Sequence, residues 1–205
     1  MITLNTLSGI YKPNDPILIE DLKNRFDYSE VSVRKSMSLL AKVGGIKRFS
    51  RGLYYIPSET IFGESKLKPS KVINVKYLER DSNVIGIYTG LKLLNKLRLT
   101  TQVPNVVEVM TNVEKNRKRE VILGKQKVIL RSSRVKIDNR NVRTVEILEA
   151  LRLLKSIDAN QIKRIREYIQ NDNISRRELD EVLINYPKSV FKKLVESGLI
   201  NEFTS

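Results

Sequence analysis

The sequence predicts an α+β protein in which an N-terminal winged helix-turn-helix precedes a mixed α/β domain ending in several short helices. Three observations predict it. Over residues 2–57, apolar spacing and turn residues follow the order helix, strand, helix, helix, hairpin. Through the middle of the chain, strand-like runs accompany one amphipathic helix. From Thr144 onward the apolar repeat is helical.

Ile2, Leu4, Leu7, Ile10 and Tyr11 recur close to helical spacing until Pro13-Asn14-Asp15-Pro16 breaks the chain. Ile17-Leu18-Ile19 suits one strand, and residues 20–26 a short helix. A second helix begins near Asp27 or Ser29, where Asp27 and Glu30 have the spacing of a capping box. Val33, Met37, Leu40, Ala41 and Gly44 then fall on one face. Val31, Lys35, Ser38 and Lys42 fall on the other, flanked by Ser32 and Arg34. Gly44-Gly45 stops the helix, because glycine enters the left-handed region without a Cβ clash. Residues 46–49 and 53–57, joined by Ser50-Arg51-Gly52, form a β-hairpin whose tip gathers Lys47, Arg48 and Arg51.

A polar linker over residues 63–70 marks the boundary between a DNA-binding domain, 1–62, and a basic α+β domain, 63–205. Residues 71–81 suit a helix or a strand. Gly86-Ile87-Tyr88-Thr89-Gly90 leads into an amphipathic helix with Leu91, Leu94 and Leu97. Residues 99–104 form a loop, since Pro104 biases its predecessor to an extended conformation. Residues 106–111, 120–123 and 126–130 are strand-like. Between the first two lies a basic hairpin tip carrying Lys115, Arg117, Lys118 and Arg119. These four are either a second nucleic-acid contact or a solvated charged loop. The helical region, about 144–205, carries the stripe Val145, Leu148, Leu151, Leu154, Ile157. Capping-box starts stand at Asp158 and Ser175, and Pro187 opens a last helix that Gly198 closes. This region reads as packing or partner surface without chemistry.

Charge and composition narrow the function. The net charge is +15. Residues 1–62 hold 9 basic and 6 acidic side chains, residues 63–145 hold 19 and 7, and residues 146–205 hold 10 and 10. Such a field favours polyanions through counterion release. The bland alternative is that lysine-rich faces only keep the protein soluble. The chain has no histidine and no cysteine. Imidazole catalysis, His-ligated zinc, thiolate metal sites and disulfides are therefore excluded, and the sequence predicts no catalytic residue, metal or cofactor. It shows neither a signal peptide nor an apolar span, so a cytoplasmic protein without membrane contact is expected.

A helix with a polar, basic outer face fits the roughly 12 Å major groove while hairpin cations reach flanking phosphates. Double-stranded DNA is the expected partner. The expected contacts are Ser32, Arg34, Lys35, Ser38 and Lys42 on the helix and Lys47, Arg48 and Arg51 on the hairpin. A winged helix used for protein contacts is the alternative. Between Ser29 and Ile56 six basic residues face one acid, Glu30, which argues against it.

Two stretches carry a family resemblance. One runs from Val33-Arg34-Lys35-Ser36-Met37-Ser38 into Arg51-Gly52-Leu53-Tyr54-Tyr55-Ile56-Pro57. The other is Tyr88-Thr89-Gly90-Leu91 followed by Leu97-Arg98-Leu99-Thr100-Thr101-Gln102-Val103-Pro104. Together, over about residues 30–135, they resemble the AbiEi-type antitoxins of type IV toxin–antitoxin (abortive infection) systems. The resemblance implies a winged-helix domain that represses its own promoter. It also implies a C-terminal domain that counteracts a nucleotidyltransferase-like toxin, with or without a stable complex. Carried over, Arg34, Lys35, Lys47, Arg48 and Arg51 contact DNA. Tyr88, Thr100, Thr101 and Gln102 match the second element without an assigned role, and the plainer reading of the Thr-Thr-Gln loop is local satisfaction of backbone groups.

Two other functions compete with autorepressor and antitoxin. One is a winged-helix transcription factor without a toxin partner. The other is a Mg²⁺-dependent nucleic-acid enzyme, for which Glu79, Asp81 and Glu108 are the carboxylates in the basic middle. Their spacing forms no metal-binding pattern.

Overall fold

Local signals in the first sixty residues turn into short elements packed on one apolar cluster. In the computed structural model, which describes residues 1–61 and 63–204, Phe62 and Ser205 lie outside the described residues. They are the terminal residues of the two domains expected from the sequence. The fold is α+β with several helices and mixed sheets, and the chain divides into two compact units, Met1–Val75 and Lys76–Ser205.

In the first unit, Thr3 caps α1 (Leu4–Ser8) by accepting from the Thr6 amide at 3.2 Å. Gly9 ends this helix after five residues, so Gly9 and Ile10 form a turn and Tyr11 lies beyond it, instead of the longer helix their spacing predicts. β1 (Ile17–Leu18) leads directly into α2 (Ile19–Phe26), and α3 (Glu30–Lys42) follows. β2 (Lys47–Ser50) and β3 (Leu53–Tyr55) form an antiparallel hairpin whose register shifts between Arg48 and Ser50. β3 is the central strand, because its other edge pairs antiparallel with β1 at Ile17–Tyr54 and Leu18–Leu53. Leu7, Ile17, Leu22, Val33, Met37 and Ile46 are fully buried in the core between these elements.

The polar stretch 63–70 is stitched to the first unit. β4 (Glu59–Thr60) pairs with β5 (Gly63–Glu64). The Ser65 hydroxyl donates to Asn14 Oδ1 at 2.8 Å, and Lys71 Nζ donates to Asp15 at 2.8 Å. α4 (Pro69–Ile73) then opens with proline in its first turn, where a missing N–H costs nothing, and runs into a π turn over Asn74–Leu78.

The second unit begins with a small hairpin, β6 (Glu79–Arg80) and β7 (Asn83–Val84). β8 (Gly86–Thr89), α5 (Gly90–Lys96), β9 (Val107–Thr111), β10 (Arg119–Leu123) and β11 (Gln126–Ser132) follow. Four of these strands form a mixed sheet in the order β10-β11-β9-β8. β9 pairs parallel with β11 and antiparallel with β8. The strands fall where the sequence predicts them, but β9 and β10 lie on opposite sides of β11. The basic segment between them is therefore a crossover and not a hairpin tip; the hairpin is β10–β11. On α5 the buried leucines are Leu93, Leu94 and Leu97, while Leu91 turns outward at 36% exposure.

Four helices complete the unit: α6 (Val142–Leu153), α7 (Ala159–Asn171), α8 (Arg176–Leu183) and α9 (Lys188–Glu196). Both predicted capping boxes form, at Asp158/Gln161 and Ser175/Glu178. Pro187 is the N-cap of α9, and Gly198, at φ 72°, closes it. α6 is buried at every position from Thr144 to Leu151 and packs against β8, α5, α8 and α9. Val145, Leu148 and Leu151 belong to its core face, whereas Leu154 and Ile157 lie beyond its end. No helix among the described residues is long and apolar enough to cross a membrane.

Gly86 shows how tightly the mixed sheet is closed. A Cβ there would lie 2.1 Å from the Tyr77 carbonyl oxygen and 2.7 Å from that of Met110. Gly86→Ala must push these neighbouring backbones apart, and we expect it to destabilise the second unit by about 3 kcal/mol, the upper end of ordinary overpacking costs. Urea unfolding followed by circular dichroism measures this, and an unchanged midpoint would refute the close approach.

Candidate nucleic-acid interface

α3 begins at Ser29, not at Asp27. Asp27 takes the left-handed conformation (φ 51°) that ends α2, so its side chain does not cap α3. Ser29 Oγ accepts from the Ser32 amide at 3.2 Å and donates to the Ser32 hydroxyl at 2.9 Å. Ser32 is thus bound into the cap. Glu30, released from any capping box, pairs with Arg34 one turn later.

Burial of Val33, Ser36 and Met37 fixes the rotation of α3 about its axis. The opposite face then carries Val31, Lys35, Ser38, Leu39 and Lys42, all exposed. The side chains of Lys35, Ser38 and Lys42 make no hydrogen bond or ion pair with another described residue. Val31 and Val43 are 76% and 79% exposed, so the outward surface mixes cations with apolar groups. Arg34 lies at its margin, its Nε donating to Glu30 Oε1 at 2.8 Å. The Arg34 guanidinium, by hydrogen bond and by charge, holds the Glu30 carboxyl below its ordinary range, and Lys23 and Arg51 add to the effect. Lys23, on α2, is a cation near Glu30 that the α3 pattern alone does not reveal.

In the hairpin, Lys47 Nζ lies 3.0 Å from Glu64, and Arg48 Nε donates to the Ser50 carbonyl at 3.4 Å. Arg51 sits exposed at the turn beside Gly52, whose φ of 75° the turn requires. It has no ion-pair partner among the described residues. The Glu30–Arg34 and Lys47–Glu64 pairs are exposed on both sides, where solvent screening leaves an ion pair weak.

Other residues singled out by the sequence lie in the second unit. Arg119 Nε donates to the buried Glu114 at 2.7 Å, and Lys118 and Lys127 both pair with Glu120. Lys115 and Arg117 keep no ion pair among the described residues. Lys92 Nζ sits 3.6 Å from the centre of the Tyr88 ring. The Gln102 amide donates to Thr100 Oγ1, and Asn95 Nδ2 donates to the Gln102 carbonyl at 2.7 Å. That loop is stapled locally to the end of α5, while Thr101 and Gln102 face solvent. Glu79 and Asp81 belong to the β6–β7 hairpin, whereas Glu108 pairs with Arg131. Among the described residues no three carboxylates gather to hold a metal ion.

Sequence reasoning missed two buried carboxylates, Glu146 and Glu149, both within 3% exposure. Glu146 accepts from Tyr168 Oη at 2.5 Å, from Arg143, and from Lys96. Glu149 accepts from Thr89 Oγ1 at 2.5 Å and, through both oxygens, from Arg152 at 2.7 Å. No local signal marks them, because both stand off the Val145, Leu148, Leu151 stripe and their partners Lys96, Tyr168 and Thr89 are distant in sequence.

The sequence matches a family described as a family of unknown function (DUF6088) over residues 15–180. No curated protein matches it.

Glu114 gives a pH test of the second unit. Burial raises its pKa, but the Asn116 amide and the Arg119 guanidinium outweigh burial and hold the carboxyl below its ordinary value of 4.5. A depressed folded pKa contributes stability that is present above 4.5 and lost as pH falls through the folded value. Glu114→Gln should therefore be less stable than the parent at neutral pH, and the two stabilities should converge in acid. Urea titrations over a pH series read this; a gap that stays constant into acid would remove the carboxylate from the account.

Proposed function

The chain belongs to the DUF6088 family, and we propose that it binds double-stranded DNA through a winged helix-turn-helix formed by its first unit. In this reading α2 and α3 are the helix-turn-helix, α3 enters the major groove, and the β2–β3 hairpin is the wing. The observation that carries it is the outward face of α3. The side chains of Lys35, Ser38 and Lys42 stand there without partners among the described residues, beside Arg34, and Arg51 of the hairpin is near enough to act on the charge of Glu30. A helix whose inner face is core and whose outer face is cationic and hydrogen-bonding has the chemistry of groove recognition. Val31 and Val43 add apolar groups of the kind that meet thymine methyls.

We further propose that the bound DNA is the protein's own promoter, and that the protein is the antitoxin of a type IV toxin–antitoxin pair with a nucleotidyltransferase-like toxin. Support comes from the paired motifs at residues 33–57 and 88–104, which resemble AbiEi-type antitoxins. Binding to chromosomal DNA sets the cytoplasm as its place of action.

Fluorescence anisotropy on the protein's own upstream DNA and on a shuffled duplex, at two salt concentrations, tests the first proposal. Preference for the upstream DNA that persists at the higher salt supports it; equal, steeply salt-dependent affinities refute sequence recognition. Replacing Arg34 or Lys35 with alanine should cost about 1–3 kcal/mol for each lost base pairing. Neutralising Lys47, Arg48 and Arg51 together should weaken both duplexes alike and flatten the salt slope by about 0.9 per lost phosphate contact. Glu30→Gln should tighten binding, because it frees Arg34 and removes an acid from α3. Weaker binding by that variant would mean that the Glu30–Arg34 pair positions Arg34 productively. The antitoxin proposal is tested separately, by co-expression with the adjacent gene product: relief of growth arrest supports it, and continued arrest overturns it.

A further inference from the structure

A cavity of about 420 Å³ opens in the second unit where the C-terminal end of β11 meets α6. Four arginines line it: Arg131 and Arg134 from the Arg-Ser-Ser-Arg run that leaves β11, Arg152 from α6, and Arg117 from the β9–β10 crossover. The volume falls within the range of small-molecule sites, about 300–1,000 Å³. Ser132 and Ser133 add hydroxyl-bearing side chains to the wall, and Met110 and the Glu149 carboxylate complete it.

The four guanidiniums divide into two kinds. Arg131 and Arg152 are anchored. Arg131 pairs with Glu108 at 2.8 Å, and Arg152 makes a two-pronged bond to the buried Glu149. Each is oriented and electrically offset. Arg117 and Arg134 have no carboxylate partner among the described residues. Arg134 rests over the Tyr186 ring, its guanidinium carbon 5.9 Å from the ring centre. The cavity is thus left with two uncompensated positive charges on planar, five-donor groups, close to the −1.5 to −2 of a phosphate monoester. Arginine forks hold phosphate oxygens two at a time, which a lysine cannot do.

We propose that this cavity binds a terminal phosphate ester of nucleotide size, with Arg117 and Arg134 gripping the phosphate and Arg131 and Arg152 forming its fixed floor. The ester comes either from a free nucleotide or from the phosphorylated end of a nucleic acid strand. The site consists of second-unit residues alone, so it stands or falls independently of DNA binding by α3.

Isothermal titration of the full chain is the test, with four probes: AMP, adenosine, and a short single-stranded oligonucleotide with and without a 5′-phosphate. Saturable binding of AMP but not adenosine supports the site and names a free nucleotide. Preference for the 5′-phosphorylated oligonucleotide over its unphosphorylated form, with AMP weak, supports it and names a strand end. Arg117→Gln and Arg134→Gln, both at exposed side chains, should each weaken binding by about tenfold to a hundredfold, the loss expected for one charge-assisted contact. Arg177→Gln removes an exposed guanidinium that does not line the cavity and should leave binding unchanged. Indifference to the phosphate in every probe, or equal affinity in the Arg117 and Arg134 variants and the parent, overturns the proposal.

Discussion

Two carboxylates buried on α6 constrain the second unit more than any other feature. An ionised carboxylate removed from water without partners costs far more than a helix can recover by packing. Glu146 and Glu149 therefore require that donors be brought to them. Lys96 comes from α5, Tyr168 from α7, Thr89 from the end of β8, and Arg143 and Arg152 from α6 itself. Burial and the neighbouring Glu146 carboxylate push the Tyr168 phenol well above its ordinary pKa, so it remains a donor. At the far end of α6, Lys193 donates to the Leu151 and Leu154 carbonyls, groups a helix end otherwise leaves unsatisfied. Elements distant in sequence, the end of β8, α5 and α7, are thereby tied to α6 through the same two charges.

The first unit handles charge the opposite way. Its acids and cations meet at the surface, where pairing is weak and exchangeable. Glu30 and Glu64 each hold a cation of the outward face, Arg34 and Lys47, without removing either from water. Interactions worth little in the free protein cost little to exchange for phosphate. Lys35, Lys42 and Arg51 need no exchange at all. A face built this way keeps its cations solvated and only loosely paired.

What could be read from the sequence was what is local. The rotation of α3 follows from the spacing of Val33, Met37 and Ala41, and the hairpin from Gly52 between two apolar runs. Both depend on neighbours within a turn or two. Capping boxes at Asp158 and Ser175 are legible for the same reason, whereas Asp27 fails because the left-handed turn ending α2 competes for it. The parallel pairing of β9 with β11 is not legible, since β10 and the crossover separate the strands and nothing local distinguishes the crossover from a hairpin. Burial of Glu146 and Glu149 is hidden too. Their partners Lys96, Thr89 and Tyr168 lie 22 to 60 residues away, and spacing on α6 alone makes them ordinary surface charges. The arginines around the cavity read individually as members of a basic middle, because only the fold brings Arg117 and Arg152 to one wall.

The Tyr-Thr-Gly element at residues 88–90 gains a physical role from the same geometry. Thr89 donates to Glu149, which orients Arg152. Gly90, at φ 62°, leaves room for Glu108, whose Oε1 would lie 3.0 Å from a Cβ at that position. Glu108 in turn holds Arg131. A hydroxyl followed by a glycine thus sets two carboxylates, and the two carboxylates aim two guanidiniums at the cavity. Neither residue lines the cavity, and neither carries charge. Their chemistry is that of positioning: a side chain short enough to reach a buried acid, then no side chain where a second acid must pass. A larger residue at 90 would displace Glu108 and leave Arg131 free to swing, and an apolar residue at 89 would take from Glu149 the donor that complements Arg152. The motif therefore supports two oriented, charge-compensated arginines, Arg131 and Arg152, from beside the cavity rather than from its wall.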